Sequence, residues 1–178
     1  ERLSPSLLVL AGSLPEGMAD AVWADLTAEW RERGARIVLD VSGEPLAVAL
    51  AQPKTRPHVL KPNRDELSML AGEPLDNAGL LHQARRLQAS GIDLVVVSMG
   101  GHGALFVSPS GAVHAAPLAV DVLSSVGAGD AMVAGLTAAM AEDGDLAESA
   151  KLERVARLAT AFAAGKLRVV GPHLPSRE

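Results

Sequence analysis

Apolar residues follow two rhythms along this chain. Short continuous runs at Leu7–Gly12, Arg36–Val41, His58–Asn63 and Asp93–Gly100 read as buried strands, most of them ended by glycine or proline. Between them the spacing becomes helical. Val22, Trp23, Leu26 and Trp30 recur among Asp25, Glu29, Arg31 and Glu32, which predicts a helix over Met18–Arg33 closed by Gly34. A short helix is expected over Pro45–Ala51, with proline in its first turn. Asn63 is placed to cap the next helix, and Glu66 three residues on suits a capping box. Asn77–Ser90 reads as a further helix, and Ala104–Pro117 as a hairpin turning at Pro109–Gly111. Helices over Gly129–Ala141 and Asp145–Lys166 complete the chain.

Apolar strands alternating with amphipathic helices predict an α/β fold whose parallel sheet is covered on both faces. In such sheets ligands collect beyond the carboxyl ends of the strands. That rule singles out the loops Ala11–Gly17, Lys61–Asn63, Ser98–Gly103 and Ser124–Asp130, all expected on one rim. The 178 residues show no repeat, low-complexity segment or linker, so residues 1–178 are expected to form one domain. With 2% aromatic residues and no tyrosine, the core must be leucine, valine and alanine, and a base-stacking nucleic-acid platform is not expected. A net charge of −5 without a basic run argues against a nucleic-acid partner. No apolar stretch reaches the length of a membrane span, so no membrane partner is expected. The absence of cysteine excludes thiolate chemistry and is compatible with a reducing cytoplasm.

Candidate chemistry concentrates in Ser124–Leu136, "SSVGAGDAMVAGL". Backbone N–H groups at a helix start form a cup for anionic oxygen, and small residues let a ligand approach the backbone. Gly127, Ala128 and Gly129 would supply that cup, with the Asp130 carboxylate beside it. An anion cup next to an acid suits phosphoryl transfer to an alcohol, the donors steadying charge while the acid accepts the hydroxyl proton. The plainer alternative is an aspartate answering the helix dipole after a glycine turn. A P-loop is absent, and a dinucleotide fingerprint would need glycine or alanine where Met132 stands.

Ser124–Asp130, followed by Ala134-Gly135-Leu136, resembles the carboxyl-terminal signature of the PfkB (ribokinase-like) carbohydrate kinases. "GSLPEG" (Gly12–Gly17) and "KPNRDEL" (Lys61–Leu67) resemble the sugar-phosphate branch, the 1-phosphofructokinases and tagatose-6-phosphate kinases. "SMGGHGA" (Ser98–Ala104) resembles that family's nucleotide-binding turn. The resemblance implies a ribokinase-like three-layer α/β/α fold with a mostly parallel sheet. It also implies ATP and Mg²⁺ as cofactors and a sugar phosphate as the small-molecule partner, with a homodimer as an admissible assembly. Asp130 would be the catalytic base and would meet the acceptor. The amides of Gly127, Ala128 and Gly129 would hold the transferred phosphoryl group. Asn63 and Glu66 would organise Mg²⁺ through water, and Lys61 would meet the nucleotide phosphates; the alternatives are the capping box and a solvated surface lysine. Ser98, Gly100, Gly101 and Gly103 would line the nucleotide, whereas His102 is expected to be a bystander. Val122, Val126, Thr160 and Ala163 would flank the adenine, with core packing as the reading favoured by the residues alone. Gly12 and Ser13 would approach the sugar, unless "GSLP" is only a strand-ending turn.

Two departures from the family stand out. Ser124-Ser125 replace the Asp-Thr that many relatives carry, which tilts the substrate toward a sugar phosphate. The chain is also shorter than its relatives. It starts without methionine almost on its first strand, so it is expected to be the carboxyl-terminal portion, without the amino-terminal strands and β lid. The edge of its sheet is then expected to be exposed and prone to association. The readings that stay open are a sugar-phosphate kinase, a non-catalytic nucleotide-binding or assembly module, and a kinase for an unphosphorylated sugar or a nucleoside.

Overall fold

The computed structural model describes residues 4–143, 148–171 and 173. A six-stranded sheet runs in the order β1-β2-β3-β4-β5-β6. Its strands are β1 (Leu7–Ala11), β2 (Arg36–Asp40), β3 (Val59–Leu60), β4 (Leu94–Ser98), β5 (Ala104–Ser108) and β6 (Gly111–Ala115). β1 to β4 are mutually parallel, and β5 is antiparallel to both β4 and β6. β6 therefore points the same way as β4, and its carboxyl end lies on the same rim.

Alternation along the strands divides the core. Ile37, Leu39, Val95, Val97, Leu105 and Val107 face one cluster, while Val38, Leu94, Val96 and Phe106 face the other. The first cluster is covered by α1 (Val22–Glu32), α2 (Glu44–Leu50), α3 (Arg64–Ala71) and α4 (Asn77–Ala89). Crossovers that step the same way along a parallel sheet leave their helices on one face, so these four share it. The second face is covered by α5 (Ala128–Asp143) and α6 (Ser149–Leu167). Three layers result. No helix among the described residues is long and apolar enough to cross a membrane.

Local chemistry adjusts the expected boundaries. α1 starts at Val22, later than Met18, because Met18 N–H donates to Pro15 O and Val22 N–H to Ala19 O in successive turns. β3 shrinks to Val59–Leu60, since Pro62 has no N–H to continue the ladder. Pairing resumes only as an isolated bridge between Asn63 and Ser98. Gly34, at φ +83°, ends α1 as expected. The start expected for α6 at Asp145 lies outside the described residues. Segment Ser124–Asp130 is not the immediate continuation of a strand, because irregular chain after Ala115 separates it from β6.

α5 and α6 approach closely at Gly135. A Cβ there would sit 2.8 Å from Ala159 Cα and 2.9 Å from Leu158 O, both backbone atoms. Replacing glycine by alanine inside a helix ordinarily gains about 1 kcal/mol. Overpacking a rigid contact costs about 1–3 kcal/mol. Gly135→Ala is therefore expected to lower stability by about 1 kcal/mol, read as a lower urea midpoint with an unchanged slope. A higher midpoint would show that the two helices separate without cost.

Candidate active site

The rim at the carboxyl ends of β2 and β3 gathers several charged groups. Asp40, the last residue of β2, carries its carboxylate there and forms an ion pair with Lys61, Nζ to Oδ1 2.9 Å. Lys61 follows β3 and is only 5% exposed, so the solvated-lysine reading is overturned. Its main chain is fixed by a bond from Lys61 N–H to Leu39 O. A Cβ on Gly129 would lie 3.6 Å from Lys61 Nζ, which places the ammonium beside the start of α5. Burial pushes the Asp40 carboxyl above its ordinary range. The neighbouring Lys61 pulls it back, and the charge of Asp130 pushes it up again.

Asn63 and Glu66 form the expected capping box. Glu66 N–H donates to Asn63 Oδ1 and Asn63 N–H to Glu66 Oε2, both at 2.8 Å. The box does not use Asn63 Nδ2 or Glu66 Oε1. Burial also raises the Glu66 carboxyl; the Asn63 N–H and Lys61 lower it, while Asp40 and Asp65 raise it. Asp40, Glu66, Lys61 and Asp130 thus share one electrostatic field.

At the head of α5, Gly127 takes φ +78°, a conformation that L side chains rarely adopt. Among the described residues no acceptor takes the N–H of Gly127, Gly129 or Asp130. Ala128 N–H does have a partner, Ser125 O at 3.2 Å. The donors available at the cup are therefore Gly127, Gly129 and Asp130. Asp130 is exposed on the first turn of α5. It borders an apolar recess of about 540 Å³ lined by Val9, Ala11, Val133, Ala134 and Thr137. Val9 is 39% exposed on β1, an edge of the sheet.

The other residues singled out in the sequence are more scattered. Ser98 ends β4, where its N–H donates to Pro62 O and links two rim loops. Gly100 and Gly101 begin an exposed 3₁₀ turn with His102, whose carbonyl accepts from His114 Nε2 at 2.9 Å. Gly103 has φ +83°, and a Cβ there would run into Ala115 O. Glycine is thus required at that position by chain packing. Val122 and Val126 are 62% and 66% exposed, which overturns core packing for both. Thr160 and Ala163 are buried on α6, and Thr160 Oγ1 has no hydrogen-bond partner among the described residues. Gly12 N–H donates to Asp40 O, and Gly12 and Ser13 line a recess of about 320 Å³ with Glu16, Trp23 and Ser42.

Asp40 was not among the residues singled out from the sequence. Its signal was nonetheless present: an acid ending the apolar run "RIVLD", at the carboxyl end of a parallel strand.

A mostly parallel α/β sheet with helices on both faces, and a glycine-opened helix start beside clustered charges at its rim, define an α/β protein of the ribokinase-like type. The chain belongs to the pfkB family of carbohydrate kinases, whose sequence profile it matches over residues 4–177. It is 50% identical over 162 residues to a 1-phosphofructokinase of Xanthomonas campestris, covering 90% of this chain and 49% of that protein. A 1-phosphofructokinase of Rhodobacter capsulatus is 48% identical over 172 residues, covering 96% and 52%. The fold superposes on phosphofructokinase-2 of Escherichia coli crystallised with potassium, at a TM-score of 0.85 and 33% identity, covering 96% of this chain and 53% of that one. The chain spans about half the length of these relatives.

The Lys61–Asp40 pair makes a pH-dependent stability prediction. A carboxyl whose folded pKa is raised costs stability as pH rises from its unfolded value, 3.8, through its folded one. Removing the Lys61 ammonium raises that folded value further and leaves a part-buried carboxylate unpaired at neutral pH. Lys61→Met is expected to destabilise by about 3 kcal/mol at pH 8. The loss should shrink toward pH 5 as Asp40 keeps its proton, and adding Asp40→Asn should recover part of it at pH 8. Urea melts at both pH values check this; an equal loss at each would remove the pair as the cause.

Proposed function

We propose that this chain carries the phosphoryl-transfer site of an ATP-dependent kinase acting on a hydroxyl of a sugar phosphate. The observation that carries the reading is the head of α5. Gly127 at φ +78° opens the backbone, the N–H groups of Gly127, Gly129 and Asp130 have no described acceptor, and the Asp130 carboxylate stands beside them. The similarity to enzymes named 1-phosphofructokinase supports a phosphorylated sugar as acceptor.

In this mechanism the unpaired amides hold the oxygens of the migrating phosphoryl group, where glycine leaves the approach open. Asp130 accepts the proton of the attacking hydroxyl, so the nucleophile forms as the phosphoryl group leaves ADP. Lys61, fixed by Asp40, offers its ammonium from beside Gly129 to the phosphates. Ser98, Gly100 and Gly101 line the nucleotide on the neighbouring rim loops. Val122 and Val126, exposed ahead of the cup, offer apolar surface to the base. Gly12 and Ser13 face the sugar.

Mg²⁺ fits this arrangement as a water-bridged ion. Among the described residues no cluster of three or more acidic or histidine side chains forms a protein cage. Mg²⁺ commonly keeps several waters and leans on one or two carboxylates. Burial and the field of Asp40 and Asp65 oppose ionisation of Glu66, and a nearby divalent cation would favour it. Glu66 would hold a water of the ion through Oε1, the acceptor its capping box does not use, while Asn63 Nδ2 would donate to a phosphate oxygen. When bound, the ion neutralises charge on the transferring phosphates.

Asp130→Asn in the full-length natural protein is expected to lower kcat for sugar-phosphate phosphorylation by about 10³-fold, the scale of a lost general base. Nucleotide binding, followed by calorimetric titration with Mg·ATP, should persist. Full turnover by the variant would overturn Asp130 as the base.

A further inference from the structure

Lys166, in the last turn of α6, is only 3% exposed and has no carboxylate partner among the described residues. Its Nζ donates to Gly171 O at 2.7 Å and to Val169 O at 3.4 Å. A buried ammonium held only by neutral carbonyl oxygens keeps most of its charge uncompensated. A lysine near a helix end commonly donates to the carbonyls around that end, which accounts for the bonds but not for the burial. The stem of the side chain points to the rest of the explanation. A Cβ on Gly127 would lie 3.2 Å from Lys166 Cε, so the lysine stem packs against the side of Gly127 where a side chain would stand.

The same helix end grips the chain entering the cup. Leu123 N–H and Ser124 N–H both donate to Leu167 O, at 2.8 and 3.3 Å. Leu167 thus fixes the approach, and Lys166 backs the turn itself. A fixed positive charge behind a helix start is unfavourable to the bare helix dipole and favourable once an anion occupies the cup. We propose that Lys166 is a positioning residue for the anion cup: its stem holds the Gly127 turn and its ammonium is a built-in cation behind the bound anion. The kinetic part of this inference rests on the phosphoryl-transfer reading; the structural part does not.

The test uses the full-length natural protein and its Lys166→Met variant, which keeps an unbranched stem without the charge, together with Lys166→Gln, which keeps a donor without the charge. Amide exchange of residues 123–130 in the free protein should speed up by about tenfold in Lys166→Met while β4 stays protected. Turnover should fall about tenfold to a hundredfold with the acceptor KM nearly unchanged. Ammonium chloride should restore more of that loss than sodium chloride at equal ionic strength. If Lys166→Met does not fold, Lys166→Gln carries the same measurements. Unchanged exchange at 123–130, a uniform rise across the chain, or unchanged turnover with equal response to both salts overturns the inference. A parent protein that transfers no phosphoryl group refutes the proposed function alone, and local exchange then decides the role of Lys166.

Discussion

The rim depends on one ion pair, a buried lysine against a part-buried aspartate. Lys61 and Asp40 stand at the ends of adjacent parallel strands, and their 2.9 Å contact closes the gap between those strands beyond the sheet. Neither charge would be stable there alone. The pair is also not electrically complete, since burial and Asp130 both raise the Asp40 carboxyl. A second cationic centre, Lys166, lies behind the cup, while Glu66 and Asp130 add negative charge in front. Charges of both signs are thus held in place before any ligand arrives. On the phosphoryl-transfer reading their reorganisation need not accompany the reaction, which is the condition for strong electrostatic assistance.

Sheet topology explains how distant segments meet at this place. The same-sided crossovers of β1 to β4 put α1 to α4 on one face and leave the other for α5 and α6. α5 then crosses beneath the early strands, and its head reaches the ends of β2 and β3 although about seventy residues separate Lys61 from Asp130. The tight contact at Gly135 fixes how far α5 is from α6, and so how closely Lys166 can stand behind Gly127. A small residue in the middle of one helix thereby controls the geometry at its head.

Much of this was legible in the residues. Continuous apolar runs marked the strands because both sheet faces are covered, and the Asn63–Glu66 spacing marked a capping box that the structure contains. Boundaries were less legible where side chains do not decide them. Pro62 cut β3 to Val59–Leu60, and backbone turns delayed α1 to Val22. The favoured core reading of Val122 and Val126 failed because they lie in irregular chain, where apolar character carries no periodicity to show which way it faces. Asp40 and Lys166 were overlooked for a related reason. Each is an ordinary charged residue at the end of a regular element, and only its partners across the fold distinguish it.

The two sides of the proposed site differ in how they are built. On the nucleotide side, the Ser98–Pro62 bond, the Asn63–Ser98 bridge, the capping box and the Leu167 carbonyl tie every loop to a neighbouring element. On the acceptor side, Asp130 faces an apolar recess whose far wall is the edge strand β1, with Val9 partly exposed and Gly12 and Ser13 on the surface. Handling of a phosphoryl anion needs rigid donors, and the proposed function assigns that part to these tied loops. Discrimination among acceptors needs enclosing walls and partners for each hydroxyl. Among the described residues those walls are sparse along β1, and on the proposed function the cup by itself discriminates little between acceptors.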